Sequence, residues 1–227
     1  MLHINLDTCT STQSYLKELI ETDSLAISKD ILVTTTNQTN GRGRGDHLWT
    51  HFEDSLAMSC LLSATEPITN IPLKVGLLCA KFFAQNYGKK ILLKWPNDLL
   101  NENNSKIGGI LCQLVQNKII VGIGLNLHRP KKIPNENFNF DFLFDDQKII
   151  QNNLAKELYK FLLENIDQKF NPLEWGQNCS HLNKKVKIQD EFSTNQGIFK
   201  GVEISGEAIL TINQETKKII SGSLFLI

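Results

Sequence analysis

The sequence predicts an α+β protein whose mixed β-sheet carries helices and is followed by a small all-β barrel. Two observations support this fold class. Through residue 178, β-branched runs alternate with segments of helical periodicity, and from residue 179 onward only short strand-like runs remain. The length of 227 residues suits a large domain with a small one appended. We therefore expect two domains, residues 1–178 and residues 179–227.

The first elements follow from local patterns. Hydroxyl side chains before "SYLKELIE" predict a capped helix, and "ILVTTTNQ" predicts a strand that runs into a glycine-rich loop. "SLAMSCLLS" predicts a buried strand. The apolar segment over residues 71–90 predicts a helix, with Pro72 near its start and Gly88 near its end.

The later elements are predicted in the same way. "ILLKW" indicates a short strand ended by Pro96, and residues 105–127 give two strands around the turn "QNK". A polar connection over residues 130–142 leads to a long amphipathic helix within residues 148–170. The small domain should contain four strands, within residues 184–190, 197–204, 207–214 and 217–227.

Composition argues against several classes of function. Lys and Arg number 24, as do Asp and Glu, whereas a general nucleic-acid binder usually carries a basic excess. No apolar run approaches the roughly 20 residues of a membrane span, so we expect a cytoplasmic protein. His47 and His51 lie outside any predicted helix, so no metal pair is expected. The five cysteines are expected to be free buried thiols.

The segment "QTNGRGRGDHLW", from Gln38 to Trp49, alternates glycine with arginine. Glycine lets a backbone approach a ligand closely, and the guanidinium group matches phosphate and carboxylate oxygens. We therefore expect a loop that becomes ordered around an anion. An RNA-binding segment or a plain surface loop is the alternative. No G-K-[ST] follows, so the segment is not a P-loop.

In "KWPND", a strand delivers Lys94 beside an indole, and Asn97 and Asp98 follow the proline. Lysine can neutralise a phosphate, and a carboxylate can hold a metal or orient an amine. A strand-end turn with a solvated lysine is the alternative.

Paired glycines stand in two neighbouring predicted strands. Gly108 and Gly109 follow Lys106 in "KIGGIL", and "GIGLN" repeats the feature around Gly124. Glycine weakens a strand, and it is commonly found where a ligand or another backbone approaches closely. We therefore expect a slot whose base is formed by backbone peptide groups. Bulges or close helix packing are the alternative. Small polar side chains at Ser11, Thr12, Gln13 and Gln38 suit a neutral polar group such as a urea, or else a helix cap.

Taken in order, "STQ", "QTNGRGRG", "KWPND", "KIGGIL" and "VGIGLNL" resemble the catalytic core of biotin protein ligases. The resemblance covers essentially the whole chain. It implies the mixed-sheet catalytic domain of the class II aminoacyl-tRNA synthetase and biotin ligase type, with an SH3-like C-terminal barrel and no DNA-binding domain. Biotin and ATP, with Mg²⁺, would give biotinyl-AMP, and a lysine of a biotin carboxyl carrier protein of acetyl-CoA carboxylase would then accept the biotin.

The resemblance also implies roles for individual residues. Lys106, Arg42 and Asp98 would be catalytic: the two cations would stabilise charge at the carboxylate and α-phosphate, and Asp98 would orient or deprotonate the incoming lysine. The residues expected to bind biotin or its adenylate are Ser11, Thr12, Gln13, Gln38, Gly41, Arg42, Gly43, Arg44, Trp49, Lys94, Asn97, Lys106, Gly108, Gly109, Gly124 and Asn126.

The sequence departs from the family pattern at several places, including "THFED" after Trp49 and the polar stretch before Lys106. Gln13 stands where asparagine is usual, and Asp46 and His47 interrupt the basic continuation after "GRGR". A lipoate or octanoate ligase or transferase of the same fold is the alternative enzyme, and an RNA-binding module is the alternative without catalysis. We expect neither a DNA nor a membrane partner, and a homodimer is left open.

Overall fold

The computed structural model describes residues 1–23, 30–45, 47–63, 67–130, 140–145 and 149–227. The first nine strands are β1 (Leu2–Cys9), β2 (Ile31–Gln38), β3 (Gly41–Arg42), β4 (Leu48–Trp49), β5 (Ser55–Leu62), β6 (Leu92–Lys94), β7 (Asp98–Leu100), β8 (Lys106–Val115) and β9 (Lys118–Asn126). Seven of them form one mixed sheet in the order β1-β2-β5-β9-β8-β7-β6, with β1 and β2 parallel and the other neighbours antiparallel. β3 and β4 form a separate hairpin.

The described part of the chain contains four helices, which cover both faces of this sheet. They are α1 (Thr12–Thr22), α2 (Ile71–Tyr87), α3 (Gln151–Asn165) and α4 (Pro172–Gln177). α2 packs on β8 and α3 on β2 and β5, whereas α1 forms a second apolar cluster with alternate residues of β2, such as Ile31 and Val33. α2 is apolar almost all round because it lies between the sheet and α3. Among the described residues, no helix has both the length and the apolarity to cross a bilayer.

The helix and strand predictions for the larger domain are confirmed, with small differences at the ends. Ser11 caps α1 by accepting from the Ser14 backbone N–H, and Gly88 ends α2 at φ 62°. β1, β3, β4, β7 and α4 were not predicted. In β1, Leu2, Ile4 and Leu6 alternate with polar residues, a strand pattern that was missed, whereas the others have six residues or fewer and carry little apolar periodicity. Most of the predicted polar connection, residues 131–139, and Asp46 lie outside the described residues.

The C-terminal module is a second antiparallel sheet. Its strands are β10 (Lys185–Gln189), β11 (Thr194–Val202), β12 (Ala208–Ile212), β13 (Glu215–Ile219) and β14 (Ser223–Leu226). Gly222, at φ 139°, divides the last predicted strand into β13 and β14. The strand order is β13-β12-β11-β10-β14, so the sheet is open, with β13 and β14 at its edges, and the expected SH3-like barrel is not confirmed.

The module is attached to the larger sheet through the connection between β11 and β12. The Trp95 indole N–H donates to the Gly206 carbonyl oxygen at 3.0 Å, and the Asn70 side chain donates to the Ile204 carbonyl oxygen at 2.9 Å. Gly206 has φ 102°, and a Cβ atom there would lie 2.6 Å from the Thr69 carbonyl oxygen. Both sheets contribute to one apolar core. The boundary between residues 178 and 179 stays a prediction.

Gly108→Ala should destabilise the fold, whereas Gly109→Ala should not. A Cβ atom on Gly108 would lie 2.5 Å from the Gly124 carbonyl oxygen, which cannot move without displacing β9. Overpacking of this kind costs about 1–3 kcal/mol. A Cβ atom on Gly109 would meet its nearest atom, the Asn97 carbonyl oxygen, at an ordinary 3.7 Å. Urea unfolding measures both variants, and equal free energies of unfolding would contradict this difference.

Candidate functional site

A cleft of about 330 Å³ opens on the face of the large sheet that carries α1. It is bordered by the first turn of α1, by β5, β8 and β9, by the β3–β4 hairpin, by the turn after β6 and by β14. The structure brings together, at this cleft, most of the residues selected from the sequence: Ser11, Thr12, Gln13, Gln38, Arg42, Gly43, Arg44, Trp49, Lys94, Asn97, Asp98, Lys106, Gly109 and Gly124.

Three of the selected residues do not line the cleft. Gly41 pairs with Trp49 in the hairpin, where a Cβ atom would lie 2.7 Å from the Trp49 carbonyl oxygen. Gly108 faces the neighbouring strand β9. Asn126 is buried at the end of β9, and its side chain donates to the Asp141 carbonyl oxygen at 3.2 Å. In this structure these three residues shape the elements around the cleft.

One end of the cleft is a network of neutral polar side chains. The Gln38 side-chain oxygen accepts from the Thr12 backbone N–H at 2.9 Å. The Thr12 and Ser59 hydroxyl oxygens are 2.9 Å apart, and the Ser59 hydroxyl donates to the Gln13 side-chain oxygen at 3.2 Å. The Gln13 amide donates to the Ile120 carbonyl oxygen at 3.3 Å. This end therefore presents hydrogen-bond donors and acceptors without formal charge.

One polar residue at this end, Ser59, was not selected from the sequence. Ser59 lies in β5, which was interpreted only as a buried apolar strand. A polar side chain in an otherwise apolar strand is the signal that could have identified Ser59. Gly122 lies on β9 beneath Gln13: a Cβ atom there would lie 2.6 Å from the Gln13 side-chain oxygen. Because Gly122 has no side chain, there is space above it for the side chain of Gln13.

The middle of the cleft contains the predicted slot above bare strand backbone. A Cβ atom on Gly124 would lie 2.7 Å from Cε2 of the Trp49 indole. The indole is half-buried, and its N–H has no hydrogen-bond partner among the described groups. A flat group therefore does lie against the backbone of β9, and here it is the side chain of Trp49.

The other end of the cleft is cationic. Lys106 Nζ lies 2.5 Å from Asp98 Oδ1, and Lys94 Nζ lies 3.3 Å from Asp98 Oδ2. Arg42 and Arg44 also line the cleft. Among the described lining residues, Asp98 is the one carboxylate beside four cationic side chains. This excess of positive charge suits an anionic ligand.

Arg44 joins the glycine loop to the C-terminal module. Its Nη2 donates to the Gly222 carbonyl oxygen at 2.6 Å and to the Ser223 hydroxyl at 3.2 Å. Burial lowers the pKa of the guanidinium, and the nearby charge of Asp98 acts in the opposite direction. Because the ordinary pKa of arginine lies above 12, the group keeps its charge at neutral pH. β14 is therefore part of the cleft wall, which the sequence did not predict.

Several known proteins are similar to this chain. A biotin protein ligase from Aquifex aeolicus in complex with biotin and ATP is 27% identical, with a TM-score of 0.84, and the match covers 100% of this chain and 99% of that chain. A biotin acetyl coenzyme A carboxylase synthetase from Helicobacter pylori with bound biotinylated ATP is 22% identical, with a TM-score of 0.72 and coverage of 96% and 100%. A biotin protein ligase from Leishmania major in complex with biotinyl-5-AMP is 19% identical, with a TM-score of 0.68 and coverage of 100% and 98%.

The model of the biotin/lipoate A/B protein ligase family matches residues 6–128. This match extends from β1 to the connection after β9 and includes the neutral end, the slot and the cationic end of the cleft. The chain therefore belongs to the biotin/lipoate A/B protein ligase family.

Proposed function

We propose that this protein is a biotin protein ligase, which activates biotin with ATP and transfers it to a lysine of an acceptor protein. The observation that carries the proposal is the division of the cleft into a neutral polar end, a flat slot and a cationic end. Biotin has a neutral urea group at one end and a carboxylate at the other, so its two ends match the two ends of the cleft. Similarity to a ligase that binds biotin and ATP supports the same conclusion.

The neutral end favours biotin over lipoate or octanoate. Thr12, Gln13, Gln38 and Ser59 offer hydrogen bonds that a urea can exchange, because it carries both N–H donors and a carbonyl acceptor. A dithiolane ring or an alkyl chain would cover these groups without pairing with them. Those groups can stay paired with one another, so the preference arises because a urea gains hydrogen bonds there that a dithiolane ring or an alkyl chain cannot form.

In the first step, a carboxylate oxygen of biotin would attack the α-phosphorus of ATP, and pyrophosphate would leave. The two reacting groups are both anions, so their approach requires positive charge. Lys106, Lys94 and Arg42 supply it from the cleft walls. Fixed charges of this kind are usually the largest single contribution to catalysis, because they need no reorganisation during the reaction.

Mg²⁺ would enter with ATP, and the residues present fit such an ion. Mg²⁺ usually takes one or two protein oxygens together with phosphates and water. Asp98 offers a carboxylate, and the Asn97 side-chain N–H₂ donates to the Ile110 carbonyl oxygen at 2.9 Å, which leaves the amide oxygen as an acceptor. When bound, the ion would supply further positive charge at the phosphates.

In the second step, the acceptor lysine would attack the carbonyl carbon of biotinyl-AMP, and AMP would leave with the bonding electrons. The attacking amine must lose a proton, and Asp98 is the described carboxylate of the cleft lining that can accept it. Before this step, the glycine loop with Arg42 and Arg44 would cover the anhydride and keep water from hydrolysing it.

Pyrophosphate exchange tests the proposed function. The protein should incorporate labelled pyrophosphate into ATP when biotin is present, and not with lipoate, octanoate or no acid. Exchange that depends on lipoate or octanoate would support the alternative ligase. Absence of exchange with every acid would refute the proposal.

Lys106→Ala should slow biotin-dependent pyrophosphate exchange by about 10²–10³-fold, the usual effect of losing one electrostatic donor. The ammonium group of Lys106 faces the cleft and does not support the core, so thermal unfolding should stay near wild type. Lys90→Ala is the matched control, because Lys90 is 63% exposed and lies outside the cleft. Exchange at the wild-type rate in Lys106→Ala would show that Lys106 has no catalytic role.

Arg42→Ala should speed the release of biotinyl-AMP. Arg42 is exposed in the free protein and stands on the glycine loop, from which it can reach the adenylate phosphate. A hydrogen bond to a charged group contributes about 1.5–3 kcal/mol, which corresponds to a release rate roughly 10- to 100-fold faster. Dissociation of labelled biotinyl-AMP, chased with unlabelled ligand, measures this rate. Arg129→Ala is the control, because Arg129 lies outside the cleft, and it should release biotinyl-AMP at the wild-type rate. A wild-type release rate in Arg42→Ala would contradict a contact between Arg42 and the adenylate.

A further inference from the structure

The turn that leads into Lys106 is built around the side chain of Asn101. Asn101 Oδ1 accepts from the backbone N–H groups of Asn103 and Ser105, both at 3.0 Å. The Asn101 backbone N–H donates to the Ser105 carbonyl oxygen at 2.9 Å. Because a backbone N–H can only donate, the oxygen of the Asn101 amide must face the turn, and its N–H₂ group must point away from the turn.

Asp141 accepts the hydrogen bond that this N–H₂ group offers. Its Oδ2 accepts from Asn101 Nδ2 at 2.8 Å, and its Oδ1 accepts from the Phe142 backbone N–H at 2.9 Å. Arg129 Nη2 also lies 3.0 Å from Asp141 Oδ1, but the Arg129 side chain is 62% exposed. An ion pair that is open to water contributes little, so the bond to Asn101 is the side-chain contact that holds the turn.

The backbone of Asp141 contacts Lys106 directly. The pairing of β8 with β9 begins at Gly108, so Lys106 lies beyond the end of this pairing. There, the Asp141 backbone N–H donates to the Lys106 carbonyl oxygen at 2.8 Å. On the other side of Lys106, the pairing of β7 with β8 is irregular next to Leu100. Asp141 therefore supplies hydrogen bonds at the point where the regular sheet holds Lys106 least.

Asp141 is itself held by the residues that follow it. Phe142, Leu143 and Phe144 are buried, and the last two belong to the main apolar core. The Leu143 backbone N–H donates to the Asn126 carbonyl oxygen at 3.0 Å, at the end of β9. A shift of Asp141 would displace these packed side chains, so its carboxylate has a fixed position from which to hold the neighbouring turn.

We propose that Asp141 is a positioning residue for Lys106, an inference that rests on the proposed function. Lys106 Nζ would have to stand where the biotin carboxylate meets the α-phosphate. Its position depends on where the Lys106 backbone leaves the sheet. Asp141 holds the turn before that point through Asn101 and the carbonyl oxygen at that point through its own N–H. A misplacement of about 1 Å can slow a reaction roughly 10²-fold, although the charged group is still present.

Asp141→Asn tests this role with almost no change of shape. The new amide keeps one oxygen for the Phe142 backbone N–H and turns its N–H₂ group towards that of Asn101, so the bond between the two side chains is lost. The kcat of biotin-dependent pyrophosphate exchange should fall about 10- to 100-fold. The KM for biotin should stay near wild type, because the neutral end of the cleft is unchanged.

Asp145→Asn is the matched control. It removes the same charge four residues further along the chain, from a side chain that is 93% exposed and 3.9 Å from Lys89 Nζ. This variant should keep the wild-type kcat, because a surface ion pair of this kind contributes little.

Exchanging the two side chains should restore the bond. Asn101→Asp alone places two carboxylates against each other and should also lower kcat. In the double variant Asn101→Asp with Asp141→Asn, the carboxylate at residue 101 still accepts from the turn, and the amide at residue 141 donates to its second oxygen. The kcat should return to within about twofold of wild type, a recovery that two independent losses cannot give.

The outcomes separate positioning from other roles of Asp141. A wild-type kcat in Asp141→Asn overturns the proposal, even if urea unfolding shows a less stable fold, because the role would then be structural only. An equal loss of kcat in Asp145→Asn overturns it in favour of a general effect of charge. A double variant as slow as the single variants also overturns it. If the wild-type protein shows no biotin-dependent exchange, the proposed function itself fails, and the positioning role fails with it.

Discussion

The carboxylate of Asp98, held between Lys94 and Lys106, determines the arrangement of the cationic end of the cleft. Without a nearby anion, the two ammonium groups would repel each other and turn towards solvent. Partly exposed ion pairs contribute little to stability, so the value of this cluster lies in the position of its charges. An arriving phosphate or carboxylate meets cations that already converge, and it can replace Asp98 as their partner.

The second sheet contacts the turn that leads into Asp98. Asp98 follows the Trp95–Pro96 turn, and Trp95 is almost fully buried with its indole N–H bonded to Gly206. The same module holds Arg44 through Gly222. Contacts from the C-terminal module thus hold Arg44 of the glycine loop and Trp95 in the turn before Asp98. The module is part of the site as well as part of the core.

Local sequence patterns and the family resemblance were enough to predict the main strands, three of the four described helices and half of the residues that line the cleft. The motif "KIGGIL" predicted a bare backbone. Only the structure shows that a side chain would fit at Gly109, whereas a side chain at Gly108 would collide with the Gly124 carbonyl oxygen. Ser59 escaped detection because the buried strand around it has no alternating pattern. The contribution of β14 could not be predicted, since it depends on how one sheet packs against another, and no local pattern encodes that contact.

The indole of Trp49 rests where a flat ligand would lie against Gly124. The two other tryptophans of the chain, Trp95 and Trp175, are each 1% exposed in the core. Trp175 lies away from the cleft, whereas Trp95 also lines it, so Trp49 and Trp95 are the two indoles that a bound ligand would approach. Intrinsic fluorescence of the unmodified protein would therefore report on the cleft, which gives the site a natural optical probe without any label.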